Sequence, residues 1–207
     1  MDSPAMRIAA SAAVLLVLAF AAACRPPRAR TVPLPAEVRT IEGYGSIRLV
    51  RGGESGRSRF SFVIEAGRRG KVEVLDPLNR ASAEIYIDRD EAVLVVRRER
   101  AYWTAGAKDV VEKLLGLRLG LDDVTALLCG RWSGPREGLR LEVRETFPGG
   151  PVPRRVEFDG PSSNGTMTLL DVVFNPPPRE GVFDRAFLAG FAALSWEEIE
   201  RMLRRED

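Results

Sequence analysis

The chain has no histidine and only two cysteines in 207 residues. Without an imidazole there is no histidine-based acid or base, and the usual zinc ligand sets cannot be assembled. No metal and no cofactor are expected. Neither sign of charge dominates. Lys and Arg number 31 against 29 Asp and Glu, a net charge of +2, which gives no basic field for nucleic acid. Long apolar runs are scarce as well. The one that stands out, residues 8–23, IAASAAVLLVLAFAAA, falls short of the roughly 20 residues a helix needs to cross a bilayer.

That run follows Arg7, ends in Ala21-Ala22-Ala23 and leads directly into Cys24. The order of charge, apolar stretch and small residues reads as a signal peptide over 1–23. Asp2 is out of place in a positive head; a start at Met6 in place of Met1 gives a compact signal led by Arg7. Cys24 after three alanines resembles the lipobox of bacterial lipoproteins, whose cysteine is acylated and becomes the first mature residue. The other reading is ordinary cleavage, with Cys24 free to pair with Cys129. A diacylated cysteine, commonly with a further chain on its amine, anchors stably where one chain alone is marginal. Arg25 stands where an aspartate would signal inner-membrane retention, so the resemblance implies the periplasmic face of the outer membrane. Residues 24–38, CRPPRARTVPLPAEV, read as the acylated Cys and a Pro-rich tether.

Beyond the tether the pattern is that of strands. Ile41–Val50 opens the domain, and in Arg59–Glu65 Phe60, Phe62 and Ile64 alternate with polar residues. Further strands are expected at 71–75, 82–88 and 92–103, forming an antiparallel meander with one apolar face. Helical spacing then takes over in KDVVEKLLGL, 108–117, and in DDVTALLC, 122–129, where Cys129 reads as a small buried hydrophobe. Strands return at 139–146, 154–159 and 166–174. The tail, 179–207, carries Phe183, Phe187, Leu188, Phe191 and Leu194. It then opens a helix with a Ser195…Glu198 capping box, which puts Trp196, Ile199, Met202 and Leu203 on one side. That helix either docks on the domain or serves a membrane or partner.

One turn is unusual. VEVLDPLNRASAEIYID, 72–88, reads as a hairpin with Val72 and Val74 facing one way on one strand and Ile85 and Ile87 on the other. Asp76, Pro77 and Asn79 are turn formers, yet Leu78 sits at the tip. Leu78 either folds back onto the hairpin or projects outward.

Three stretches together resemble the LolA/LolB family of periplasmic lipoprotein carriers and outer-membrane lipoprotein receptors, and LolB most. Val74-Leu75-Asp76-Pro77-Leu78-Asn79 is similar to the family's Leu-x-Asn-Pro-Leu-Gly loop, with Asn79 where the family usually has Gly. Lys108–Gly130 resembles its helical segment, and Gly43-Tyr44-Gly45-Ser46-Ile47 its first strand. The similarity covers about 40 to 175; the helix after Gly190 has no counterpart in it. The resemblance implies a mainly β fold with α: an open, curved antiparallel half-barrel over 39–178, a helical lid on its concave face, plus the C-terminal helix. Acyl chains of cargo lipoproteins would lie between sheet and lid, and Phe60, Phe62, Ile64, Val93, Val95, Leu114 and Leu127 are the candidates to line that cavity. The same residues would also serve as an ordinary packed core.

The family implies a receptor that takes acylated lipoproteins from a LolA-like periplasmic carrier and inserts them into the outer membrane, with Asp76, Pro77, Leu78 and Asn79 as the membrane-insertion loop. Such transfer needs no covalent chemistry, so no enzyme is expected. Two other readings keep the fold: carriage of a different lipid, or a structural or assembly lipoprotein without transfer. A hydrolase built around Ser162-Ser163-Asn164-Gly165 lacks an evident base, and SSNG is an ordinary turn.

Overall fold

The computed structural model describes residues 30–76, 78–132, 138–177 and 179–203. The signal run, Cys24, Pro77 and Pro178 lie outside them. Strands β1 (Thr40–Arg51), β2 (Glu54–Glu65), β3 (Arg69–Leu75), β4 (Ala81–Asp88), β5 (Glu91–Val96) and β6 (Ala101–Gly106) follow one another as hairpins. Helices α1 (Ala107–Leu115) and α2 (Leu121–Leu128) come next. Then β7 (Arg140–Thr146), β8 (Pro153–Asp159) and β9 (Asn164–Phe174) return the chain to the sheet. The tail gives a 3-10 turn at Ala186–Gly190, a two-residue strand β10 (Ala192–Ala193) and helix α3 (Trp196–Leu203). The strands make one open, curved sheet in the order β10-β6-β5-β4-β3-β2-β1-β9-β8-β7. All neighbours are antiparallel except β10 and β6.

Register fixes the two faces. Phe60 lies opposite Gly45 and Phe62 opposite Gly43, while Val74 and Val72 flank them on β3. A Cβ on Gly43 would come within 2.7 Å of the Phe62 ring, and one on Gly45 within 3.0 Å of the Phe60 ring. The two phenyl rings therefore lie over two glycines, which explains the Gly-Tyr-Gly spacing in β1. Tyr44, between them, faces the other way and is half exposed.

Helices α1 and α2 cover the face that carries Phe60, Phe62 and Ile64. Val110 and Leu121 are buried in the same cluster as Ile64, Ile85 and Leu94, and Leu121 sits directly over Gly70 of β3. Gly116 ends α1 in the left-handed conformation, φ 70°, as a helix C-terminal glycine commonly does. Ser163 donates its hydroxyl to the Leu115 carbonyl there. Ser163 thus braces a helix end. Cys129, at the end of α2, is a free, buried thiol whose pKa is raised by that burial.

Two expectations need correction. The stretch 92–103 is two strands: the chain reverses at Arg97–Arg100, where four polar residues follow a run buried on both faces and Arg100 takes φ 50°. The Pro-rich segment is not a free tether along its whole length. Val32 is buried, in one cluster with Phe147 and Val152, and Leu34 and Val38 pack against it. Its apolar side chains find a sheet end to cover, so the compact unit starts at Thr31.

The tail docks on the domain, and it does so by wrapping an edge. Phe187, Leu188 and Phe191 cover Tyr86, Val93 and Val95 on the outer face of β4 and β5. Ala192 donates its N–H to the Arg100 carbonyl, and Leu194 to that of Tyr102, closing the free side of β6. The chain then passes to the inner face. The Glu198 N–H donates to the Ser195 hydroxyl at 3.4 Å and the Glu198 carboxylate accepts the Ser195 N–H at 2.9 Å, the two reciprocal bonds of a capping box. Trp196 packs at a tilt against Trp103 of β6, centroids 5.0 Å apart, and Ile199 is 0% exposed.

A detached membrane or partner helix would tolerate truncation of that side chain. Docked as it is, Ile199→Ala should cost about 2–5 kcal/mol, the range for emptying a buried aliphatic site. Thermal and urea denaturation of the variant measure this, and an unchanged midpoint would contradict the docking.

Candidate functional site

The turn between β3 and β4 is built around one carboxylate. Oδ1 of Asp76 accepts the N–H groups of Leu78 at 2.8 Å and of Arg80 at 2.9 Å, and Oδ2 accepts from Arg80 Nε at 2.8 Å. The backbone closes the loop twice more. Asn79 N–H donates to the Asp76 carbonyl, and Asp76 N–H to that of Arg80. Asn79 sits at φ 60°, a conformation Asn tolerates better than most residues, and its side chain accepts from Arg59 on the neighbouring strand β2. Leu78 thus has its backbone held on both sides while its side chain is 71% exposed. It does not fold back. Pro77 lies outside the described residues.

Phe60, Phe62 and Ile64 share the inner face of β2, and Leu114 of α1 packs against the same cluster. Leu127 is buried on α2. Val93 and Val95 do not join them. They point to the outer face and are sealed under Phe187 and Phe191, while Ala92, Leu94 and Val96 take the inner positions of β5. The run Glu91–Val96 is apolar at every position after its first because both of its faces are covered. That continuity, as opposed to alternation, was the signal that β5 is packed from two sides.

Burial along the inner face is uneven. At the end away from Leu78, Ile41, Ile64 and Ala92 are 0–2% exposed. Toward the Leu78 end, Phe60, Val72, Val74 and Met167 are only half-buried. Phe60 pairs with Val74, which stands two residues before Asp76. The looser part of the apolar face, on β2, β3 and β9, therefore opens beside the Leu78 turn, while Ala83, Val96 and Ala101 at the same end of β4, β5 and β6 are buried. Val72, Val74 and Met167 belong to this mouth and were not among the candidates from sequence, although the alternation of Val72 and Val74 marks them.

Elsewhere the inner face is filled by α1, α2 and α3. Two grooves lie on the outer face, each lined by charged and apolar residues together. One, of about 270 Å³, runs between Glu42, Ser61, Lys71, Glu73 and Arg179; the other, about 460 Å³, lies among Arg48, Arg140, Arg144 and Glu157. Beside the first, Lys71 Nζ reaches Glu73 at 2.7 Å and Glu84 at 3.6 Å. Burial works against the Lys71 charge, but its two carboxylate partners outweigh it and raise the ammonium pKa. Glu84, almost fully buried, also accepts from Arg97 and from the Tyr86 hydroxyl. Burial and the neighbouring Glu84 push that phenol up. These groups satisfy one another.

Comparison with protein-family models finds no match, and comparison with curated proteins finds none. Solved structures do match. A LolA superfamily protein from Nitrosomonas europaea superposes with a TM-score of 0.50 at 9% identity, over 75% of this chain and 94% of that one. A DUF1329 family protein from Desulfovibrio piger ATCC 29098 gives 0.51 at 9% identity, over 74% and 92%. At that identity the likeness is one of fold: this chain has the LolA-like fold.

The Asp76 cradle carries a pH dependence. The Arg80 backbone bond, with the Arg80 side chain and Leu78 N–H, outweighs burial and holds the carboxyl below its ordinary 3.8. A lowered folded pKa stabilises the turn at all pH above the ordinary aspartate range, and that contribution is lost as pH falls through the folded value. The Leu78 and Arg80 amide resonances should therefore shift together, with a midpoint below 3.8. Separate midpoints, or one above that value, would contradict a shared carboxylate.

Proposed function

We propose that this protein is a lipid-anchored acyl-chain binder of the periplasmic face of the outer membrane, a LolB-like receptor. It takes acylated lipoproteins from a soluble LolA-like carrier and releases them into the membrane. Residues 1–23 are its signal peptide and Cys24 its acylation site. The chains lie against the inner face, entering at Phe60, Val72, Val74 and Met167. The role is binding and transfer, with no covalent step. One observation carries this reading above all: Leu78, a large apolar side chain, is exposed on a turn braced around Asp76, next to the half-open part of the apolar face.

Magnitudes support the exchange it requires. A 16-carbon chain costs about 12 kcal/mol to hold in water, at ~0.8 kcal/mol per CH₂. The helices that fill the inner face would have to yield to it. Each large apolar side chain they lift gives up roughly 1.5–3 kcal/mol, so a handful of displaced contacts is offset by one buried chain.

Lipids that co-purify with the full chain carrying Cys24→Ala, identified by mass spectrometry, test the cargo. Triacylated peptide is the expected result. Free phospholipid or glycolipid would assign a different lipid to the same site, and an empty protein would favour a structural lipoprotein.

Leu78→Glu separates holding cargo from delivering it. An exposed position outside the core should change stability by no more than about 0.5 kcal/mol. Acceptance from a carrier should be near normal and insertion into vesicles impaired. Unimpaired insertion would remove Leu78 from the mechanism.

A further inference from the structure

Strands β1 to β6 are neighbours in chain order, so the β1–β2, β3–β4 and β5–β6 turns stand in one row at one end of the sheet. Arg51, Arg57, Arg59, Arg80, Arg98 and Arg100 lie on or beside these turns and all are exposed. The acids there are Glu54, Asp76 and Glu99, and Asp76 is already engaged by Arg80 at 2.8 Å. At the other end of the same strands the balance reverses. The β4–β5 turn reads Asp88-Arg89-Asp90-Glu91, and Glu65 holds both Arg68 and Arg69. The basic groups are thus gathered around Leu78, in the middle turn of the row.

The geometry points to this row as a docking surface for an anionic phospholipid bilayer. The inference rests on the reading of the inner face as an acyl site, and it names the surface to which that site's mouth is turned. Lipid phosphates accept from guanidinium groups in a fork that matches them, and need no fixed partner geometry. A bilayer also accepts Leu78 at any lateral position. An acidic protein would satisfy the arginines but would need a pocket placed to receive that one side chain. Juxtamembrane arginines near an anionic surface strengthen binding by roughly fivefold each, and salt weakens the effect.

The test uses the full chain with Cys24→Ala, so that no acyl anchor forms. It is sedimented with vesicles of phosphatidylcholine alone or mixed with phosphatidylglycerol. The ratio of the two affinities is the readout, because attachment through residues 8–23 contributes to both. Wild type should prefer the anionic vesicles, and salt should reduce the preference. Arg57→Gln with Arg98→Gln should lower the ratio about 25-fold, from roughly fivefold for each arginine. Arg68→Gln with Arg89→Gln, at the far end, should leave it unchanged. Equal losses from both pairs, or no preference in wild type, would overturn the docking surface. Tighter retention on polyglutamate than on the anionic vesicles would also overturn it, in favour of an acidic protein partner. Binding of a fluorescent fatty acid to the same proteins keeps the two readings apart. Fatty-acid binding without vesicle preference sinks only the docking surface; vesicle preference without fatty-acid binding sinks only the acyl site.

Discussion

An open sheet must shield a free edge and cover an apolar face, and here residues 186–203 do both at β6. Without β10, the outward N–H and C=O groups of β6 would be a template for pairing with another chain. Without Phe187, Leu188 and Phe191, the outer faces of Val93 and Val95 would be wet. Without α3, Trp103 and Ala105 would lose the cover that Trp196 and Ile199 give. Each large side chain buried this way contributes roughly 1.5–3 kcal/mol. Because one short segment joins them, the outer and inner halves are mechanically linked. Arg97 makes the link tighter, with its guanidinium 4.2 Å from the Phe187 ring centroid and its Nε 2.8 Å from buried Glu84. A carboxylate held that deep is tolerable only while Lys71, Arg97 and Tyr86 all remain in place.

Local chemistry was legible in the sequence, and long-range cover was not. The alternation Phe60-Phe62-Ile64, the turn at Asp76 and Asn79 and the Ser195…Glu198 box each depend on a few neighbouring residues. All of them appear in the structure as read. The fold class was legible too, from strand spacing and the helix pair together. Val93 and Val95 were misplaced because an alternating rule assumes one wet face, and the tail that removes that assumption lies some ninety residues downstream. Val32 was read as linker because proline-rich composition says what a segment cannot form, not what it covers. Its partners, Phe147 and Val152, meet it only once β7 and β8 have folded. The candidate site followed the same division: Asp76, Leu78 and Asn79 mark the turn in the sequence, whereas its partner Arg80 and the mouth residues Val72, Val74 and Met167 needed the structure.

Val32 also fixes which end of the sheet the entering chain meets. Thr31 and Val32 pack against Gly149 and Gly150, in the β7–β8 turn. The pairing of β7, β8, β9 and β1 puts that turn at the end of the sheet opposite Leu78. Strand β2 has 12 residues, which span about 40 Å at roughly 3.3 Å each. The chain that leads into the domain and the exposed Leu78 are therefore separated by the length of the strands, and the β7–β8 turn that Val32 covers takes no part in the apolar mouth at the other end.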